Sequence, residues 1–183
     1  MTILHIDSSI NGENSASRAI SARIVDQVKT GRPGEEVDYR DLAQEPLPHL
    51  TLDAFADSSV LDEFLAADTI VIGAPMYNFT LASQLKAWLD RILVAGRTLR
   101  YTADGPEGLA GGRRVIVALA RGGIYDAGSP AAALEHLESY LRGVFNFIGI
   151  EPEFVAADGL NVSAQMREAS ISQALGRTVR LAA

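Results

Sequence analysis

The sequence has no cysteine. Disulfides, thiol nucleophiles, iron–sulfur clusters and cysteine-bound zinc are therefore excluded. Histidine is scarce as well: His5, His49 and His136 are the only three, and no two have the spacing of a metal site. No apolar run approaches the roughly 18 residues of a membrane span, and the first residues enter a strand-like pattern without a charged leader. Positive charge is in deficit. Sixteen Lys and Arg face 23 Asp and Glu, a net charge of −7, which repels a nucleic-acid backbone. The one tight basic pair, Arg113–Arg114, is too small to reverse that and fits the flank of a strand. Three catalytic and nucleotide signatures are also missing: a Walker A loop, a Gly-x-Gly-x-x-Gly turn after the first strand, and a Gly-x-Ser-x-Gly elbow. These absences fit a cytoplasmic protein and set the expectation of no metal, no membrane partner and no nucleic-acid partner.

What is present is an ordinary globular balance, 48% hydrophobic and 21% charged over 183 residues, enough for one well-buried domain spanning 1–183. Apolar, β-branched runs predict strands over 3–7, 69–72, 115–119 and 153–157, with an alternating half-exposed strand over 36–40. Helical spacing predicts helices over 17–29, 60–67, 81–94, 131–147 and 164–181. In the fourth of these, Leu134, Leu137, Leu141, Val144 and Phe145 form the inward face. Gly31, Arg32, Pro33 and Gly34 break the first helix, residues 41–58 look irregular, and 98–112 reads as one long glycine-rich loop. Strands alternating with helices imply an α/β fold: a doubly wound sheet of five parallel strands covered on both faces.

Three loops leave the carboxyl ends of strands, where open α/β sheets bind ligands. The first, 8–17, holds Ser8, Ser9, Ser15 and Ser17 with Asn11 and Asn14, and ends at a helix N-terminus. A helix cap needs one serine; four hydroxyls at a positive helix end suit a phosphate monoester. The second, 73–80, follows a buried strand and carries Met76, Tyr77, Asn78 and Phe79, a wall for a flat ligand. The third holds Arg121, Gly122 and Gly123, which reads equally as a plain turn or as backbone open to close approach. Asp7, at a strand end, reads as either a catalytic or a loop-capping residue.

Taken in order, Met76-Tyr77-Asn78-Phe79, Gln84-Leu85-Lys86, Asp90, Arg100-Tyr101-Thr102, Gly105-Pro106-Glu107-Gly108-Leu109 and Arg121-Gly122-Gly123 resemble the FMN-dependent NADH azoreductases, also described as NADH:quinone oxidoreductases. The resemblance runs the length of the chain and is densest from 72 to 123. It implies a flavodoxin-like fold, bound FMN, NADH as co-substrate, and a homodimer with active sites at its interface. By the same resemblance Ser9, Ser15, Ala16 and Ser17 hold the phosphate. Met76, Tyr77, Asn78 and Phe79 line the isoalloxazine, and Ala120, Arg121, Gly122 and Gly123 close its pyrimidine side. Tyr101, Tyr125 and Phe147 shape the substrate pocket. Ala120 stands where the family usually has a hydroxyl, and Tyr125 where it often has histidine. The implied activity is hydride transfer from NADH through FMN to quinones and azo compounds by a ping-pong mechanism, with no side chain as catalyst. Two other classes remain open on the residues alone: a flavodoxin-like electron carrier and a flavin-free regulatory module.

Overall fold

The computed structural model describes residues 2–32 and 34–182; Pro33, part of the break expected after the first helix, lies outside them, as do Met1 and Ala183. Five strands form one parallel sheet: β1 (Thr2–Asp7), β2 (Glu36–Asp41), β3 (Thr69–Tyr77), and two later strands. A two-residue strand, β4 (Thr80–Leu81), turns back antiparallel on β3. A separate hairpin is made by β5 (Leu99–Thr102) and β6 (Gly105–Gly108), and β7 (Arg114–Ala120) and β8 (Glu153–Ala157) complete the main sheet in the order β2-β1-β3-β7-β8. Counting the parallel strands alone, that is order 2-1-3-4-5, the flavodoxin-like winding.

The two inner strands show why the sheet is buried on both faces. In β3, Ile70, Ile72 and Ala74 belong to one core and Val71 to the other. In β7, Val115, Val117 and Leu119 belong to the first and Ile116, Ala118 and Ala120 to the second, the period of two that a pleated strand imposes. The first core is closed by α3 (Ser59–Ala66), α4 (Ser83–Ile92) and α5 (Glu138–Phe147). There the Phe64 and Trp88 rings meet edge to face at 5.9 Å, a geometry set by the ring quadrupoles. The second is closed by α1 (Ala16–Gly31) and α6 (Ala164–Thr178), through Ile20, Ile24, Val28 and Ala174.

Four expectations need correction. Residues 98–112 are not a structureless loop: they fold as the β5–β6 hairpin, held across its strands by Arg100 and Glu107 and seated on the turn after α5. Gly108 is obligatory there, since a Cβ would fall 2.1 Å from the Gly149 amide nitrogen. The irregular stretch 41–58 contains a short helix, α2 (Leu52–Ala56), capped by Thr51. The strand predicted over 69–72 continues to Tyr77, and what looked like an eight-residue loop is a two-residue turn at Asn78 and Phe79. The long helix expected from 131 begins only at Glu138. A 3-10 turn, Ala132–Leu134, precedes it, and Leu134 is exposed rather than inward.

Candidate active site

The cleft lies at the carboxyl edge of the sheet, between the ends of β1, β3 and β7. It begins with the chain leaving β1. Ser8 is spent on structure: its Oγ and its N–H both donate to the Gly73 carbonyl, at 2.9 and 3.3 Å, fastening β1 to β3. Ser9 turns the other way, its Oγ 3.3 Å from the Tyr77 hydroxyl, which also accepts the Ile10 N–H. Ser15 is the N-cap of α1, whose first residue, Ala16, lies one residue before the predicted start. Ser15 is extended, with φ −80° and ψ 122°, and its Oγ accepts from the Arg18 N–H. Ser17 sits inside the first turn, fully buried, with its Oγ 3.1 Å from that of Ser15. The N–H groups of Ala16 and Ser17 have no acceptor within the helix, and the first turn of α1 carries no acidic side chain.

Ser9, Asn11, Asn14, Ser15 and Ala16 line a cavity of ≈ 150 Å³. Pro75, Met76, Tyr77, Ala120 and Gly122 line it too, with Leu160, Asn161 and Arg167. Among the described residues, no carboxylate lines it. A neighbouring space of ≈ 430 Å³ opens beyond Met76, Gly122 and Asn161 towards Asn78, Phe79, Gly123 and Tyr125. At the turn between them, Asn78 and Phe79 have φ of 47° and 73°. Left-handed backbone is common for asparagine and unusual for phenylalanine. Phe79 is nevertheless pinned: its carbonyl accepts the His136 N–H at 3.0 Å, and its ring meets Tyr125 edge on at 6.5 Å.

Across the cleft, the carbonyls of Gly122 and Gly123 accept the N–H groups of Asn161 and Gly159. Their own N–H groups find no acceptor among the described residues. Gly122 also makes room for Asn161, since a Cβ would lie 2.5 Å from that amide. The Arg121 side chain leaves the cleft altogether. It is buried among Asp158, Glu135 and Glu138, at 2.5, 3.4 and 3.5 Å. Burial alone would lower its pKa, but the bonds and charges of those carboxylates raise it.

Asp7 resolves as a structural residue. It accepts from Ser21 at 2.8 Å and from the Tyr39 hydroxyl at 3.2 Å, on the α1 side of β1 away from the cleft. Burial first, then the charges of Asp7 and Asp41, push the Tyr39 phenol up to about 12. Burial holds His5 below its ordinary value despite the opposing charge of Asp7. Arg18 grips Asp41 with two bonds and the Ser9 carbonyl with two more.

Two residues placed at the substrate pocket by resemblance do not reach this cleft within the chain. Tyr101, on β5, is 73% exposed. Phe147, at the end of α5, packs on the first core. Leu160, Asn161 and Arg167, none of them signalled by a motif, do reach it. Asn161 comes from a fourth carboxyl-end loop, after β8, and Arg167 from α6. The only signal in the sequence was the Asp158–Gly159 turn and the Ser163 cap that follow the last strand.

Known proteins resemble the chain over its whole length. A family model described as flavodoxin-like fold matches residues 1–181. "FMN-dependent NADH:quinone oxidoreductase 2" of Bradyrhizobium diazoefficiens is 54% identical, with 100% of both chains covered. The crystal structure of an azoreductase from Bacillus anthracis superposes with a TM-score of 0.91 at 27% identity, covering 100% of this chain and 98% of that one. An FMN-dependent NADH-azoreductase from the same species, solved in complex with FMN, superposes with a TM-score of 0.85 at 26% identity over 100% of both chains.

Proposed function

The chain belongs to the flavodoxin-like FMN-dependent NADH:quinone oxidoreductases, and from that premise we propose how its own residues carry the activity. It is an FMN-dependent enzyme that oxidises NADH and reduces quinones and azo compounds. The observation that carries the site assignment is the convergence of three strand-end loops on one carboxylate-free cleft, with hydroxyls at one end and an aromatic turn at the other.

The donor set fits FMN. Ser9, Ser15 and Ser17, with the open N–H groups of Ala16 and Ser17, are neutral donors at a positive helix end and suit a phosphate. Met76, Tyr77, Asn78 and Phe79 would flank the ring system, and Ala120, Gly122 and Gly123 its opposite edge. Arg121 contributes through its backbone, since its side chain is engaged elsewhere. The N–H groups of Gly122 and Gly123 are fixed donors, suited to negative charge developing at that edge. When bound, FMN supplies the hydride-accepting and hydride-donating chemistry that no side chain here offers. The protein binds, orients and shields.

NADH and the acceptor use one cleft in turn, and the whole chain acts as one unit in the cytoplasm. Initial rates over a matrix of NADH and quinone concentrations should give parallel double-reciprocal lines; intersecting lines would overturn the shared cleft. The assembly is a homodimer. Tyr101 is too exposed and too far along its hairpin to serve its own cleft, and a second copy is the natural source of that aromatic. Sedimentation showing a fully active monomer would refute this.

Phe79→Gly is a second test. Glycine relieves the left-handed backbone, worth roughly 1–2 kcal/mol, and forfeits the ring contact with Tyr125. Melting should therefore stay near that of the parent while the KM for the quinone rises several-fold. A large loss of stability with KM unchanged would make Phe79 a packing residue only.

A further inference from the structure

The serine cradle at the start of α1 offers neutral donors, and the two arginines nearest it in sequence and sheet order are already committed. Arg18 holds Asp41 at 2.6 and 2.7 Å and lines a different cavity, with His5, Asp7 and Tyr39. Arg121 is enclosed by three carboxylates. Arg167 is different. It rises from the first half of α6, is half-buried, and lines the same cavity as Ser9, Asn14 and Ser15. Its Nη2 donates to the Asn14 carbonyl at 2.9 Å, bridging 153 residues of sequence to the residue just before the α1 cap. No carboxylate pairs with it among the described residues. A guanidinium carries five N–H donors in a planar fork, and one bond to a carbonyl leaves most of that fork, and all of its charge, beside the cradle.

We propose that Arg167 is a ligand of the FMN phosphate, closing the cradle from the α6 side; this rests on the FMN reading above. A phosphate monoester carries about 1.5 to 2 negative charges near neutral pH, and this chain is itself at −7. Hydroxyls and a helix end supply partial charges only, whereas an arginine fork matches phosphate geometry and adds a full charge. The bond to Asn14 already restrains the side chain, so less of its freedom is lost when the anion arrives. The residue therefore acts on the phosphate and leaves the flavin ring alone.

Comparing FMN with riboflavin, which lacks the phosphate, isolates that contribution. The full chain and its Arg167→Gln and Arg167→Lys variants would be titrated with each flavin by fluorescence quenching at several salt concentrations, beside flavin-free melting curves. Glutamine keeps a donor for the Asn14 carbonyl and removes the charge. Expected is an FMN affinity lower by on the order of 10- to 100-fold in Arg167→Gln, a riboflavin affinity within about 2-fold of the parent, a shallower salt dependence, and partial recovery with lysine. Equal weakening of both flavins would make Arg167 a tether between α6 and the β1–α1 loop and overturn the proposal, as would an unchanged preference for FMN. A parent that binds neither flavin would overturn the FMN reading and this proposal together. A parent that binds FMN no better than Arg167→Gln does would overturn the proposal alone.

Discussion

Ser15→Asp should leave the flavin-free protein as stable as the parent and cost it about a thousandfold in FMN affinity. The two halves of that result come from one position. Ser15 is the N-cap of α1, its Oγ accepting the Arg18 N–H at 3.3 Å. Aspartate caps as well as serine. It also places a negative charge at a first turn that has none, a gain of roughly 0.3–1 kcal/mol against the helix dipole. The melting temperature should hold or rise slightly. A phosphate in the cradle meets that same carboxylate. Two unit charges of like sign 4 Å apart, at an effective dielectric near 20, repel by about 4 kcal/mol, and each 1.4 kcal/mol is about tenfold in affinity. The experiment belongs at Ser15 and not at Ser17. Ser15, though itself buried, lines the cavity, whereas Ser17 does not and is enclosed inside the first turn, so a carboxylate there would weaken the empty protein too and confuse the two effects. Fluorescence quenching beside a melting curve reads both halves. A Ser15→Asp protein that binds FMN within tenfold of the parent would show that no anion sits against this cap.

The gap between the helix start at Ser17 that the spacing predicts and the start at Ala16, capped by Ser15, that the structure shows is typical of what could and could not be read. The inner strands were legible because burial on both faces demands unbroken apolar runs, as in Val115 to Ala120. Helix α4 was legible through Leu85, Trp88, Leu89 and Ile92, all buried on one face. The β5–β6 hairpin was not. Gly105, Pro106, Glu107 and Gly108 have no strand propensity of their own. Their pairing is set by Arg100 against Glu107 and by the seat on Gly149, contacts that do not appear in the local pattern. The start of α5 was misplaced because Leu134 continues the spacing of Leu137 and Leu141. The true start is fixed by Glu135, whose carboxylate accepts the N–H groups of Leu137, Glu138 and Ser139 from outside the helix. In the cleft, Ser9, Ser15 and Gly122 sit on loops, and Met76 and Tyr77 at the end of β3, and their place at the sheet edge follows from alternation alone. Asn161 and Arg167 do not: they are brought there by the winding of the last strand and helix.

Arg121→Ala should be the most destabilising single change near the site, and its cost should shrink in acid. The guanidinium is 8% exposed and faces Asp158, Glu135 and Glu138 together. Removing it leaves Asp158 and Glu135 without their cation, and Glu138 with Arg142 alone at 3.0 Å, a defect of about 3–5 kcal/mol for a buried partner lost. For a chain of this length that is roughly 6–20 °C in melting temperature. The pH dependence separates charge from packing. Burial would raise the Glu135 pKa, but three N–H bonds and the Arg121 charge outweigh it and hold the carboxyl below its ordinary 4.5. In the parent, then, this group's stabilising contribution is complete above its unfolded pKa and is lost as pH falls through the lower folded one. In the variant the Arg121 charge no longer helps the three N–H bonds to hold the Glu135 carboxyl down, so that carboxyl moves back towards its ordinary value and less stability is lost as pH falls. The parent therefore loses more than the variant does, and the gap between them narrows from about pH 7 towards about pH 4. Melting curves across that range decide the matter. A gap that stays constant would mean that Arg121 acts by filling space. Asp158→Asn in the Arg121→Ala background supplies the converse: with one carboxylate neutralised it should recover part of the loss at neutral pH and almost none in acid.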